Sequence, residues 1–168
     1  MTTTATVLEA RLAEVLEEKS LLKHPFYRAW TQGTLPAERL QEYARQYFHF
    51  EAAFPRFLSA LHSRVEDPGV RQLILENLWD EEYGERNHRA LWLEFAEALG
   101  VPRAEVEASA ANAETAALVA HFDTMCREGA PGDALATLYA YEGQVPAVAR
   151  QKIAGLQAFY GLKPEAFE

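Results

Sequence analysis

Three ionisable side chains in one helical segment, Glu81, Glu85 and His88, are spaced so that they share a face. Residues that are alternately four and three positions apart lie on one side of a helix. The series that contains these three residues also contains the apolar residues Ile74, Leu78, Trp92 and Phe95. A carboxylate that faces a core is normally paired, protonated or bound to a metal. The pattern therefore leaves three explanations open, and one of them is a metal site.

The spacing within this segment constrains the geometry. On one straight helix, Glu81 and His88 would lie about 10.5 Å apart along the axis, with Glu85 between them. Glu85 and His88 make the Glu-x-x-His spacing found in di-iron sites at the centre of helical bundles. The alternative is a polar network with an arginine or tyrosine on a facing helix. Glu82 pairs at i,i+4 with Arg86 and is expected to face solvent.

A second acid interrupts an apolar line further along the chain. In the segment GDALATLYAYEGQVPAVARQKI, the line that passes through Leu135, Leu138 and Tyr139 reaches Glu142. Inward carboxylates from two helices, together with a histidine, are what a dinuclear metal site in a bundle requires. The alternative for Glu142 is an ion pair with Arg45 or Arg56.

The composition limits the classes of function. The chain has 168 residues, of which 49% are hydrophobic, and it carries a net charge of −9. This length suits one domain over residues 1–168, and the acidic balance argues against nucleic-acid or anionic-membrane partners. No apolar run is long enough to span a bilayer. The single cysteine, Cys126, fits a cytoplasmic protein without an internal disulfide, and no base near it in the sequence marks it as a nucleophile.

Helical periodicity predicts an all-α chain. Prolines near helix starts and glycines near helix ends place the boundaries. The predicted helices are 7–18, 25–32, 36–65, 69–99, 103–128 and 132–160. Pro55 and Pro146 fall inside two of them and are expected to cause kinks.

Three segments carry a resemblance to a known family: HPFYRAW, DEEYGERNHRALW and LYAYEGQVPAVARQKIAGLQAFYG. With these, the chain resembles the heme-oxygenase-like, TenA/PqqC-type helical bundles, and among them the CADD-like members. The resemblance implies a non-heme, O2-dependent oxygenase with a dinuclear iron or mixed Fe/Mn site. Its implied ligands are Glu81, His88 and Glu142, with Glu85 as a rival ligand or a partner of the ligands. It also implies a homodimer.

The resemblance further implies that para-aminobenzoate is formed from the protein itself, a role in cofactor biosynthesis. Tyr27 would supply the ring and Lys152 the amino group. Tyr141, which could line the pocket, and Tyr43 are further candidate catalytic residues. The partners would be O2 and a small aromatic or self-derived substrate. The alternative is that Tyr27 packs under the N-terminal helices and that Lys152 is a surface residue with a buried stem.

The chain departs from the family pattern at its end. Metal-binding members carry a His-x-x-x-Asp-x-x-His pattern on a last helix, whereas here no histidine follows His121. The final KPEAFE resembles the start of that helix, so we expect the last bundle helix to be missing from these 168 residues and the metal site to be incomplete or empty in this form. The remaining alternatives are a cofactorless PqqC-like oxidase and, as the CADD name (a protein associating with death domains) suggests, a non-enzymatic interaction scaffold.

Overall fold

The computed structural model describes residues 2–162, with side chains from residue 7 onward. All regular structure in this range is helical, which confirms the all-α class. The α-helices are α1 Thr2–Glu18, α2 Pro25–Thr31, α3 Ala37–His62, α4 Pro68–Glu82, α5 His88–Ala98, α6 Arg103–Ala108, α7 Ala113–Glu128, α8 Pro131–Glu142 and α9 Val145–Phe159, with a 3₁₀ turn at Leu21–Lys23.

Side-chain caps set the starts of several helices. Asp67 accepts a hydrogen bond from the Val70 amide at 2.9 Å before α4, and Asn112 accepts one from the Thr115 amide at 2.8 Å before α7. Asn87 does the same for the Ala90 amide at 3.0 Å before α5. Each cap satisfies a backbone donor that has no partner within the helix, so these short side chains fix where the helices begin.

Three of the predicted helices were wrong as single helices. The segment 69–99 divides at residues 83–87, where Gly84 adopts a φ of +87° that helices do not contain. The segment 103–128 divides at residues 109–112, because Ser109 is extended and Asn112 caps a new helix. The segment 132–160 divides after Glu142, since Pro146 in a continuous helix would clash with the carbonyl of residue 142. Pro146 therefore lies in the first turn of α9 and does not kink a longer helix.

The described chain divides into two compact units, and the prediction of one domain over 1–168 stays a prediction. The larger unit contains residues 36–137. In it α3 packs against α4, α5, α6 and α7, and Pro55 lies inside α3. Its core is aromatic and aliphatic, and includes Phe50, Phe54, Phe57, Leu58, Leu61, Trp92, Phe95 and Phe122.

The smaller unit contains the described residues up to 35 together with 138–161. In it α2 packs against α9. Its buried apolar side chains are Trp30, Leu138, Val148 and Leu156, and the only buried charged residue among its described side chains is Lys152. No helix within the described residues is both long and apolar enough to cross a membrane.

Candidate metal centre

The turn between α4 and α5 brings Glu81 and His88 together. Glu81 lies in the last turn of α4 and is 8% exposed. His88 is the first residue of α5. Between them the chain reverses through Gly84, whose positive φ costs glycine little and other residues much more. The result is a distance of 2.9 Å between His88 Nδ1 and Glu81 Oε1.

This contact corrects the geometry expected from a straight helix. The predicted separation of two helical turns assumed that residues 69–99 were continuous. The break replaces a shared helix face with a direct hydrogen bond between the two side chains. Asn87 stabilises the turn, because its side-chain amide donates to the carbonyls of Glu82 at 3.2 Å and Gly84 at 3.3 Å while its oxygen caps α5.

A third residue, Glu51 of α3, completes the group and was missed by the sequence analysis. Its Oε1 lies 3.8 Å from His88 Nδ1, and its side chain is 14% exposed. One ligand atom from each of Glu51, Glu81 and His88 lies within 4.8 Å of the others. A signal was present in the sequence: steps of four and three connect Ala44, Phe48, Glu51, Pro55 and Leu58, of which all but Glu51 are buried.

The two carboxylates change the acid–base behaviour of the histidine. The hydrogen bond to Glu81 raises the pKa of His88 above its usual value, and the nearby charges of Glu81, Glu51 and Asp80 add to this effect against the desolvation of the ring. His88 is 47% exposed, so solvent reaches the group. At neutral pH the imidazole is therefore held as a hydrogen-bond donor to Glu81.

Two further ligands, Glu85 and Glu142, were predicted from the sequence. Glu85 lies in the turn and is exposed, outside the group of three. Arg86 pairs with Glu94 at 3.2 Å, whereas the sequence predicted a pair with Glu82. Glu142, at the end of α8, is partly buried and belongs to the smaller unit. The ligand roles of Glu85 and Glu142 remain predictions.

Three of the predicted catalytic residues lie in the smaller unit, and the fourth does not. Tyr27 is on α2, Tyr141 on α8 and Lys152 on α9. Burial raises the pKa of the Tyr141 hydroxyl, and the charges of Tyr27 and Glu142 raise it further, so Tyr141 stays a phenol at neutral pH. Tyr43 is on α3 of the larger unit, where its ring contacts Trp92 edge to face at 5.6 Å.

Two alternatives from the sequence can now be judged from burial. Lys152 is 6% exposed, so it is not a surface residue. Cys126 is fully buried, and burial raises the pKa of its thiol to about 11. A thiol that stays protonated at neutral pH is a poor nucleophile, in agreement with the sequence analysis.

Comparison with known proteins identifies the family. The TENA/THI-4/PQQC family matches residues 13–163. A 4-aminobenzoate synthase from Chlamydia muridarum is 43% identical over 94% of this chain and 67% of its own length. One from Nitrosomonas europaea is 46% identical over 92% of this chain and 67% of its own. A pyrroloquinoline-quinone synthase from Granulibacter bethesdensis is 30% identical over 91% of this chain and 61% of its own.

The chain thus spans about two thirds of the length of the 4-aminobenzoate synthases it matches. These relatives confirm the predicted enzyme class, an oxidoreductase of the CADD/PqqC-like oxidase type, and with the helical structure they confirm the predicted TenA/PqqC-type fold. The chain belongs to the TENA/THI-4/PQQC family.

Proposed function

We propose that the protein is a metal-dependent, O2-using oxidase that forms 4-aminobenzoate. The observation that carries the metal dependence is the group Glu51, Glu81 and His88, whose ligand atoms lie within 4.8 Å of one another. The observation that carries the product is the name 4-aminobenzoate synthase of relatives that are 43% and 46% identical to this chain.

The donor set fits a first-row divalent metal. Two carboxylates and one imidazole combine hard oxygen ligands with a nitrogen ligand, as iron and manganese sites do. Two carboxylates also carry the negative charge that holds a cation, and Glu81 is nearly dry. Glu51, Glu81 and His88 would hold a metal, and the ligand roles of Glu85 and Glu142 stay predictions from the sequence. When bound, iron or an iron–manganese pair would supply the activation of O2.

Within this proposal the residues of the group have separate tasks. Glu81 orients the imidazole of His88 through the 2.9 Å contact and accepts its proton. That proton must leave before the same nitrogen can bind a cation, so metal uptake should depend on pH. Glu51 adds charge from a different helix, which ties the geometry of the group to the packing of α3 against α4 and α5.

Tyr27 is proposed as the source of the ring and Lys152 as the source of nitrogen. The ring and Cβ of a tyrosine contain all seven carbons of 4-aminobenzoate, provided that the Cα–Cβ bond breaks and Cβ is oxidised to the carboxylate. The ring C–O bond must be replaced by C–N, and the Cε–Nζ bond of the lysine must break. O2, with an added reductant, is the oxidant. Tyr141, held as a phenol near Tyr27, can donate a hydrogen bond to a reacting group.

Mass spectrometry of the natural full-length protein tests this function. Protein loaded with Fe(II) and Mn(II) would be exposed to O2 with a reductant and then analysed for 4-aminobenzoate and for loss of mass at residue 27. We expect both, at about one turnover per chain, and neither in Tyr27→Phe. Lys152→Arg should lose the product. Tyr160→Phe is the matched control, because Tyr160 belongs to the same unit but donates its hydroxyl to the Leu35 carbonyl.

The other outcomes separate the competing functions. Consumption of O2 with an intact Tyr27 would indicate an oxygenase acting on an external aromatic substrate. The pyrroloquinoline-quinone synthase relatives, at 28–30% identity, favour a PqqC-like oxidase as the second candidate. If it is cofactorless, the alternative raised from the sequence, its activity would persist in metal-free protein. A scaffold would neither bind metal nor consume O2.

A further inference from the structure

We propose that Trp30 is a positioning residue that fixes the location of the Lys152 side chain. This inference rests on the proposed role of Lys152 as the amine source. Trp30 is fully buried on α2, and Lys152 is 6% exposed on α9. Both belong to the smaller unit, in which α2 packs directly against α9.

Trp30 contacts Lys152 at both ends of the residue. Its indole Nε1 donates a hydrogen bond to the Lys152 carbonyl at 3.2 Å. The Lys152 Nζ lies 5.7 Å from the centroid of the same ring system, within the range in which an ammonium is attracted to an aromatic face. Four rotatable carbon–carbon bonds separate the lysine backbone from its nitrogen, so a fixed backbone alone does not place that nitrogen. Holding both ends does.

Gly155 explains why the indole can approach α9 this closely. It is buried, and it lies nearly one helical turn after Lys152. A Cβ atom at residue 155 would lie 2.7 Å from Trp30 Cδ1 and 3.1 Å from Nε1. Since no real side chain tolerates the first distance, only glycine leaves room for the ring edge that makes the hydrogen bond. The sequence thus provides the ring and the space for it on two different helices.

The Trp30 ring also contacts a second aromatic residue of α2. Phe26 packs edge to face on Trp30 at 5.9 Å and on Tyr27 at 5.3 Å between centroids. The aromatic residues of α2 therefore connect the proposed ring donor with the residue that places the proposed amine. A substitution of Trp30 should therefore change the solvent access to the Lys152 nitrogen.

Chemical labelling of lysines in the folded full-length protein tests the proposal without using activity. After limited acetylation with acetic anhydride, peptide mass spectrometry gives the ratio of modified Lys152 to modified Lys19 and Lys23, whose side chains are 73% and 51% exposed. We expect Trp30→Leu and Gly155→Ala to raise this ratio about threefold or more, and Trp30→Phe to raise it less, because phenylalanine keeps an aromatic face.

The matched control is Trp92→Phe. The Trp92 indole also donates to a buried backbone carbonyl, that of Ala44 at 2.8 Å, so this variant measures the general cost of losing such a bond. An unchanged Lys152 ratio in Trp92→Phe is expected. If Gly155→Ala and Trp30→Phe both label Lys152 at the wild-type ratio, or if Trp92→Phe raises it equally, Trp30 does not position the lysine. Gly155→Ala keeps the test decisive should Trp30→Leu fail to fold.

A separate arm distinguishes failure of this inference from failure of the proposed function. Protein grown with ¹⁵N-labelled lysine should release ¹⁵N-labelled 4-aminobenzoate if Lys152 is the amine source. An unlabelled product together with increased acetylation in Gly155→Ala would leave Trp30 as a positioning residue and remove Lys152 from the reaction. A labelled product with no change in acetylation would support a lysine as the amine source and would show that Trp30 does not position Lys152.

Discussion

The two buried charged residues of the described chain, Glu81 and Lys152, are held by opposite means. Glu81 lies at a break between helices, beside a second carboxylate and an imidazole that is 47% exposed. Lys152 lies inside a continuous helix, against an indole that is fully buried. Glu81 thus belongs to an ionisable, partly solvated group that can bind a cation or a proton. The lysine is in a dry contact between two helices, which fixes a position.

This difference indicates which perturbations each region should resist. The geometry and protonation of the group Glu51, Glu81 and His88 should change with pH, with metal binding and with the loss of one charge, because the three side chains interact through their charges. The contact between Trp30, Lys152 and Gly155 should respond to the size of a side chain, because it depends on close packing.

The largest expected effect is on metal binding. Replacing Glu81 with Gln removes a charged ligand and the partner that orients His88, and we expect the affinity for Fe(II) or Mn(II) to fall by more than about 100-fold. Isothermal titration calorimetry of metal into the full-length protein measures this affinity. Glu82→Gln serves as the control, because Glu82 is an exposed acid next to Glu81 for which no ligand role was predicted. Equal losses in the two variants would show that Glu81 contributes only its negative charge and is not a ligand.

Next in size is the effect of Gly155→Ala on stability. The added Cβ would overlap Trp30 Cδ1 at 2.7 Å, and overpacking of this kind costs about 1–3 kcal/mol. Urea unfolding followed by circular dichroism gives the change in the free energy of unfolding. A suitable control is Gly132→Ala, since a Cβ there meets no atom within 4 Å. Equal stabilities of the two variants would show that the close contact does not exist.

A smaller loss is expected for Gly84→Ala. Gly84 has open space around it but a φ of +87°, so the cost comes from the backbone alone, about 1–2 kcal/mol. Because this turn brings His88 to Glu81, the variant should also bind metal more weakly than wild type, whereas Gly132→Ala should not. Unchanged stability and unchanged metal affinity in Gly84→Ala would show that the conformation of this turn does not determine the geometry of the metal group.

The finest test concerns the pKa of His88. Its value in the folded protein should exceed that of a free histidine, and Glu81→Gln should lower it more than Glu51→Gln, because the hydrogen bond to Glu81 is the larger cause. The raised pKa stabilises the fold fully below the unfolded value of about 6.5, and this contribution is lost as the pH rises through the folded pKa. Two-dimensional NMR of the imidazole signals measures the titration. A larger shift from Glu51→Gln would reverse the assignment of the main partner.

The sequence allowed the fold class to be predicted, together with two of the three residues in the candidate metal group. Helical periodicity is a local property, and it predicted the all-α chain correctly. A charged residue on an apolar line indicated Glu81, and the same criterion applied to α3 would have found Glu51. What periodicity could not reveal was the break at Gly84, because a glycine within a helical pattern is compatible with either a continuous helix or a turn. The 2.9 Å contact between Glu81 and His88 depends on that choice.

The contact of Trp30 with Lys152 illustrates the other limit. Lys152 lies between apolar Val148 and Leu156 in the sequence, which favours burial, but nothing local predicts which aromatic residue covers it. Trp30 is 122 residues away along the chain. The pairing is determined by the packing of α2 on α9. In the sequence, Gly155 indicates that α9 leaves room for a close neighbour, but it does not indicate which residue that neighbour is.

The central claim is that Glu51, Glu81 and His88 bind a metal that the enzyme requires. The most direct measurement is elemental analysis of the natural full-length protein after anaerobic loading with Fe(II) and Mn(II) and removal of excess metal. We expect stoichiometric metal in the wild-type protein and in Tyr160→Phe, and little in Glu81→Gln and in His88→Ala. Metal-free wild-type protein that still forms 4-aminobenzoate, or full metal content in both site variants, would contradict the claim.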